Sequence, residues 1–139
     1  MFGLDGSLIR ITNCSPYKRE NQRLTSEIRK IDIIRDTIEK VIKKKKARNR
    51  NIDILLKLIE EGNVSFNSYK EKSLKINELI SEEMDNNELI REFEENDKKC
   101  ERNICLLESI IRNNAKKMYK IRNVLKLHKK QLYENIIEN

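Results

Sequence analysis

From Tyr17 onward, apolar side chains recur three and four residues apart. Leu24, Ile28, Ile31, Ile34, Ile38 and Val41/Ile42 mark one stripe, which resumes at Ile52, Leu55/Leu56 and Ile59. That period belongs to a helix that buries one face. It predicts a helix over about residues 20–61, roughly 60 Å long at 1.5 Å per residue, a length ordinary for a coiled coil. Between the two halves the seam passes near Lys45 and Asn49, so the stripe lapses there while the helix is expected to continue.

Punctuation comes next. In "EEGNVSF" (60–66), Gly62 followed by Asn63 reads as a helix C-cap and turn. A second helix then carries Phe66, Tyr69, Ile76 and Ile80. An antiparallel hairpin folded near Gly62 would bury its stripe against that of the first helix. A further break is expected in "EEMDNNELI", where Asp85 and Glu88 have the spacing of a capping box beside residues that disfavour helix.

The last segment has the most regular pattern. Ile104, Leu107, Ile111, Asn114, Met118, Ile121, Leu125, His128 and Leu132 alternate threes and fours without interruption. Such a helix is committed to packing on another helix. Asn114 is the seam residue expected to fix register or partner number, and His128 reads as a partly exposed residue near the helix end. The expectation is therefore an elongated all-α chain. It comprises a flexible segment over 1–16, a basic helical hairpin over 17–84, and a coiled-coil helical segment over 85–139. In the first of these, Phe2 and Leu4 are candidate contacts with a membrane or a partner.

Composition supports this picture. Of 139 residues, 37% are hydrophobic and 38% charged, Trp is absent, and there are only three glycines and one proline. Such an apolar share fills a narrow stripe on each of several helices, not both faces of a two-layer fold. Formal charge is +7. Residues 1–80 hold 18 basic and 11 acidic side chains, and residues 81–139 hold 12 of each. A basic first half suits an anionic partner, although an AT-rich coding sequence would enrich Lys, Asn and Ile in the same way.

Candidate chemistry is thin. Cys14, Cys100 and Cys105 form no CxxC pair and lie far from His128, so no zinc site is expected. Cys100 and Cys105 read as small hydrophobes on a helix in a reducing compartment. No glycine-rich phosphate loop, nucleophile–base arrangement or carboxylate site stands out, so neither an enzyme, a cofactor nor a small-molecule substrate is expected. No apolar run approaches a membrane span and no signal peptide is evident. The expected location is cytoplasmic, with peripheral contact to endosomal or other membranes.

The tract "KVIKKKKARNRN" (40–51) contains no acid. Lys40, Lys43, Lys44, Lys45, Lys46, Arg48 and Arg50 point almost all the way round a helix. A close apolar neighbour would therefore bury several charges at a cost. These seven are the candidate polyanion-binding residues, for lipid headgroups or nucleic acid. A solvated helix section is the competing reading.

The layout resembles the core of the ESCRT-III family of filament-forming, membrane-remodelling proteins. "MFGLDG" looks like its membrane-contacting start, "RDTIEKVIKKKKARNRNIDILLKLIEEGN" is similar to its basic first helix, and "LLKLIEEGNVSFNSYKEKSLKINELI" to its hairpin tip and return helix. "LESIIRNNAKKMYKI" resembles a later helix. The neutral second half, and the lack of a tail motif before Asn139, depart from the family. The resemblance implies self-assembly on membranes, with Lys40 to Arg50 facing anionic lipid. The expected role is a non-enzymatic assembly or scaffold protein of this kind. The alternatives are a basic helical factor bound to RNA or a ribosome, or an adaptor in a complex of other helical chains.

Overall fold

The computed structural model describes residues 13–138, which form two helices, α1 (Ser15–Glu60) and α2 (Tyr69–Glu138), and no strand. The chain is an all-α helical hairpin. The candidate contacts Phe2 and Leu4 lie outside the described residues.

Each helix end is built from local chemistry. Asn13 Oδ1 accepts the Ser15 backbone N–H at 2.9 Å, and the first α-type bond runs from Lys18 N to Cys14 O at 3.0 Å. Pro16 sits in the first turn, where its missing donor costs nothing. Helix α1 thus begins at Ser15, inside the segment expected to be loose. It ends in a Schellman closure: Asn63 N–H reaches Leu58 O at 2.9 Å and Gly62 N–H reaches Ile59 O at 3.1 Å. Gly62 adopts φ +76°, as the sequence suggested. The capping pair of α2 is Ser68 and Glu71. The Ser68 hydroxyl accepts Glu71 N–H at 3.1 Å, and the Glu71 carboxylate accepts Asn67 N–H at 3.1 Å.

The break expected at Asp85 and Glu88 is not there. Helix α2 runs through both residues without interruption, so the return helix and the C-terminal seam belong to one element. Asn86 is buried by tertiary packing, whereas Asp85 and Glu88 stay exposed and cap nothing.

The chain divides into two compact units, one of residues 32–101 and one combining 1–31 with 102–139. In the first, α1 and α2 run antiparallel, since Arg35, Asn49 and Ile59 rise in number as their neighbours Asp97, Asn86 and Leu79 fall. Its core is Ile52, Ile59 and Leu79, with Leu55, Leu56, Phe66 and Ile76 against it. Ile38 and Ile90 are also buried. In the second unit, Leu24 of α1 and Ile104 and Ile121 of α2 are buried. Leu107, Ile111, Met118 and Leu125 are half-buried, as a single apolar stripe on each helix dictates. The seam expected to extend to Leu132 is exposed there, and His128, read as a partly exposed residue, is exposed as well.

Candidate polyanion interface

The basic tract lies in the middle of the first unit. Asn49 occupies the seam there and is 8% exposed. Both ends of its amide are engaged: Asn86 Nδ2 donates to Asn49 Oδ1 at 2.9 Å, and Asn49 Nδ2 donates to Asn87 Oδ1 at 2.9 Å. An asparagine at this position lets a second helix approach a lysine-rich stretch without burying an ammonium group.

The tract's bases therefore separate into two sets. Arg48 forms a bidentate pair with Glu82, at 3.0 and 2.9 Å, and Lys46 meets Glu94 at 3.4 Å. The Arg48 guanidinium holds the Glu82 carboxyl below its ordinary range, and Glu82 in turn raises Arg48. Lys45 is half-buried and adds to the field that keeps Glu82 ionised. Lys40, Lys43, Lys44 and Arg50 are exposed and, among the described residues, enter no ion pair. At 100° per residue these four span an arc of about 120° on the outer side of α1. The neighbour that α2 supplies at the tract is polar, with Asn86 and Asn87 on the seam and carboxylates at the charges nearest it, so no close apolar surface meets the lysines there.

Two further polar contacts tie this unit. Arg35 and Asp97 form a part-buried bidentate pair at 3.0 and 3.3 Å, which raises the Arg35 pKa through the hydrogen bond. Glu83, half-buried, is pushed above the usual carboxylate range, first by sharing a proton-mediated hydrogen bond with Asp53 and then by burial.

Local charge is not where the sequence halves suggested. Residues 32–101, tract included, hold 15 basic and 17 acidic side chains. Residues 1–31 with 102–139 hold 15 basic and 6 acidic. The neutral second half conceals this, since its acids cluster before Ser109. From Ser109 to Tyr133 there is no Asp or Glu, while Arg112, Lys116, Lys117, Lys120, Arg122, Lys126, Lys129 and Lys130 are all exposed. A scan for acid-free windows would have found this run; dividing the chain at residue 80 averaged it away.

In that second unit Asn114 is buried, as its seam position implied, and Nδ2 donates to Asn21 Oδ1 at 2.9 Å and Glu20 Oε1 at 3.1 Å. Lys117 stands over the Tyr17 ring at 5.6 Å, and the Cys14 thiol donates to Met118 O at 3.9 Å. Cys14 and Cys100 are half-buried and unbridged. Cys105 is exposed, contrary to its reading as a packed small hydrophobe.

Among the described residues no group of three or more His, Cys, Asp or Glu is placed to hold a metal ion, and no helix is long and apolar enough to cross a membrane. An apolar groove of about 310 Å³ near the turn is lined by Leu55, Ile59, Val64, Phe66, Leu74 and Leu79. Its polar rim is Glu71, Lys75 and Glu78. No family model matches the chain, and no curated protein or solved structure matches it.

Proposed function

We propose that the chain is a non-enzymatic helical assembly protein whose paired helices present docking faces to other helical chains. One observation carries this reading. The seam closes within the chain, yet large apolar side chains stand outside it: Ile33 is 67% exposed, Ile54 58%, Leu74 60% and Leu106 62%. Surplus apolar surface on a helix pair whose own core is filled is what a partner helix takes up. Sedimentation equilibrium of the full chain tests it. Association that weakens in the Ile33→Ser/Ile54→Ser variant supports self-assembly. A strict monomer at high concentration, purified from its native source without a second helical chain, rejects the proposal.

A second reading has its own observation. Ile33 and Ile54 share the outer arc of α1 with Lys40, Lys43, Lys44 and Arg50, a mixed apolar and cationic face that suits an anionic membrane surface. The ESCRT-III resemblance points the same way, while the unbroken α2 departs from that family's shorter later helices. Sedimentation with phosphatidylserine vesicles but not with neutral ones supports it. Equal behaviour with both kinds of vesicle removes it.

A further inference from the structure

We infer that the outer face of α2 between Arg112 and Lys130 is a binding site for the phosphate backbone of single-stranded nucleic acid, separate from the tract on α1. The inference stands independently of the assembly reading.

Three observations carry it. The first is charge: Arg112, Lys116, Lys120, Lys126 and Lys130 are exposed, and among the described residues none is in an ion pair. No Asp or Glu lies between Glu108 and Glu134 to quench them. In the tract on α1, by contrast, Arg48 and Lys46 are paired with Glu82 and Glu94, and the unit around the tract holds more acids than bases. The second is placement. The side of α2 that meets α1 is marked by buried Asn114 and Ile121. At 100° per residue the five bases fall within an arc of about 120° on the opposite side. Arg112, Lys116 and Lys120 follow one another by single turns, about 6 Å apart, which gives a rail of cations along the helix rather than a point.

The third is an aromatic. Tyr119 is 66% exposed and lies on the same arc, where a base can stack on its ring. An anionic membrane is the competing polyanion. This face argues against it, because along the rail the arc holds a single large aliphatic side chain, Leu127, too little apolar surface to enter a lipid layer. Leu132, Ile136 and Ile137, also exposed, come after the rail. With no built pocket for a base edge, recognition would rest on phosphate and stacking and would not depend on sequence.

The test uses the full chain, a fluorescein-labelled 20-nucleotide oligouridylate, and anisotropy across a salt series. The Lys116→Gln/Lys120→Gln/Lys126→Gln/Lys130→Gln variant is expected to bind at least tenfold more weakly. Its salt slope should fall by roughly 3, at about 0.7 per lost phosphate contact on a single strand. Lys40→Gln/Lys43→Gln/Lys44→Gln/Arg50→Gln should change affinity less than twofold. Tyr119→Ala should weaken binding about fivefold, and Tyr119→Phe should restore it. These side chains are exposed, so helical circular dichroism should be unchanged; single substitutions at Lys116 or Lys130 give the same reading, about 0.7 in slope each, if the quadruple variant folds poorly. Three results overturn the inference: no RNA binding by the parent chain, equal loss in both quadruple variants, or capture by phosphatidylserine vesicles through these lysines without RNA binding.

Discussion

The Asn86 side-chain amide donates to the Asn49 carbonyl oxygen at 2.9 Å, both residues being buried between antiparallel stretches of α1 and α2. This pair sets the register in the middle of the hairpin, since sliding either helix by one residue would strand both amides among apolar or charged neighbours. Polar pairs of this kind specify one alignment at some cost in stability.

Asn86→Ala leaves the Asn49 oxygen buried without its donor and is expected to destabilise by about 1–3 kcal/mol. The double replacement Asn49→Leu/Asn86→Leu should recover most of that loss, because the exposed Asn87 can turn to water. Its signature is loss of a single alignment. Urea melts give the energies, and sizing chromatography shows whether the double variant forms extra species.

Ile52 is wholly buried and Leu79 nearly so, at 0% and 1% exposure. Ile52→Ala or Leu79→Ala should each cost about 2–5 kcal/mol. Ile33→Ala, at an exposed position, should fall within about 0.5 kcal/mol of the parent. Chemical denaturation of the three variants checks the order.

Gly62 stands at φ +76° with nothing within 4 Å of where a Cβ would go. Gly62→Ala therefore meets no clash, and its cost is conformational, about 1 kcal/mol. Gly62→Asn should cost less. Equal losses for the two variants in thermal melts would show that the left-handed closure is not what limits substitution there.

Two neighbouring carboxyls on α2 respond to acid with opposite signs. Glu82 is held below its unfolded value by Arg48, so its contribution is present above the unfolded carboxyl pKa and fades as pH falls through the folded one. Glu83 is raised by Asp53 and burial, so the folded state binds the extra proton and its contribution fades as pH rises. Glu83→Gln should keep the hydrogen bond without the shared charge. It should raise Tm at pH 7, where the parent carboxyl is ionised beside Asp53. The advantage should shrink as pH drops through the carboxylate range, which calorimetry at several pH values would follow.

Much of the architecture was legible because it is local or periodic. The stripe from Leu24 to Ile59 apart from Ile34, which is exposed, the closure at Gly62 and the seam from Ile104 to Leu125 each follow from spacing alone. What escaped was tertiary. Asp85-Asn86-Asn87-Glu88 looks like a helix start, and only the distant Asn49 makes Asn86 a seam residue instead. The real capping pair, Ser68 and Glu71, lay in the same kind of spacing three residues apart. That Arg48 and Lys46 of the tract pair within the chain was not legible, because Glu82 and Glu94 lie far along it. The basic run on α2 was missed for a different reason: the acids just before it balanced the count.

The account turns on the helices closing against each other within one molecule. Asn21 and Asn114 touch through their side chains at 2.9 Å, so Asn21→Cys/Asn114→Cys, with Cys14, Cys100 and Cys105 replaced by Ser, provides a direct reading. Mild oxidation should yield a disulfide inside a single chain, seen as faster migration on a non-reducing gel at every protein concentration. Crosslinked dimers, increasing with concentration and without the fast monomer band, would mean that the seam closes between chains and would contradict the hairpin.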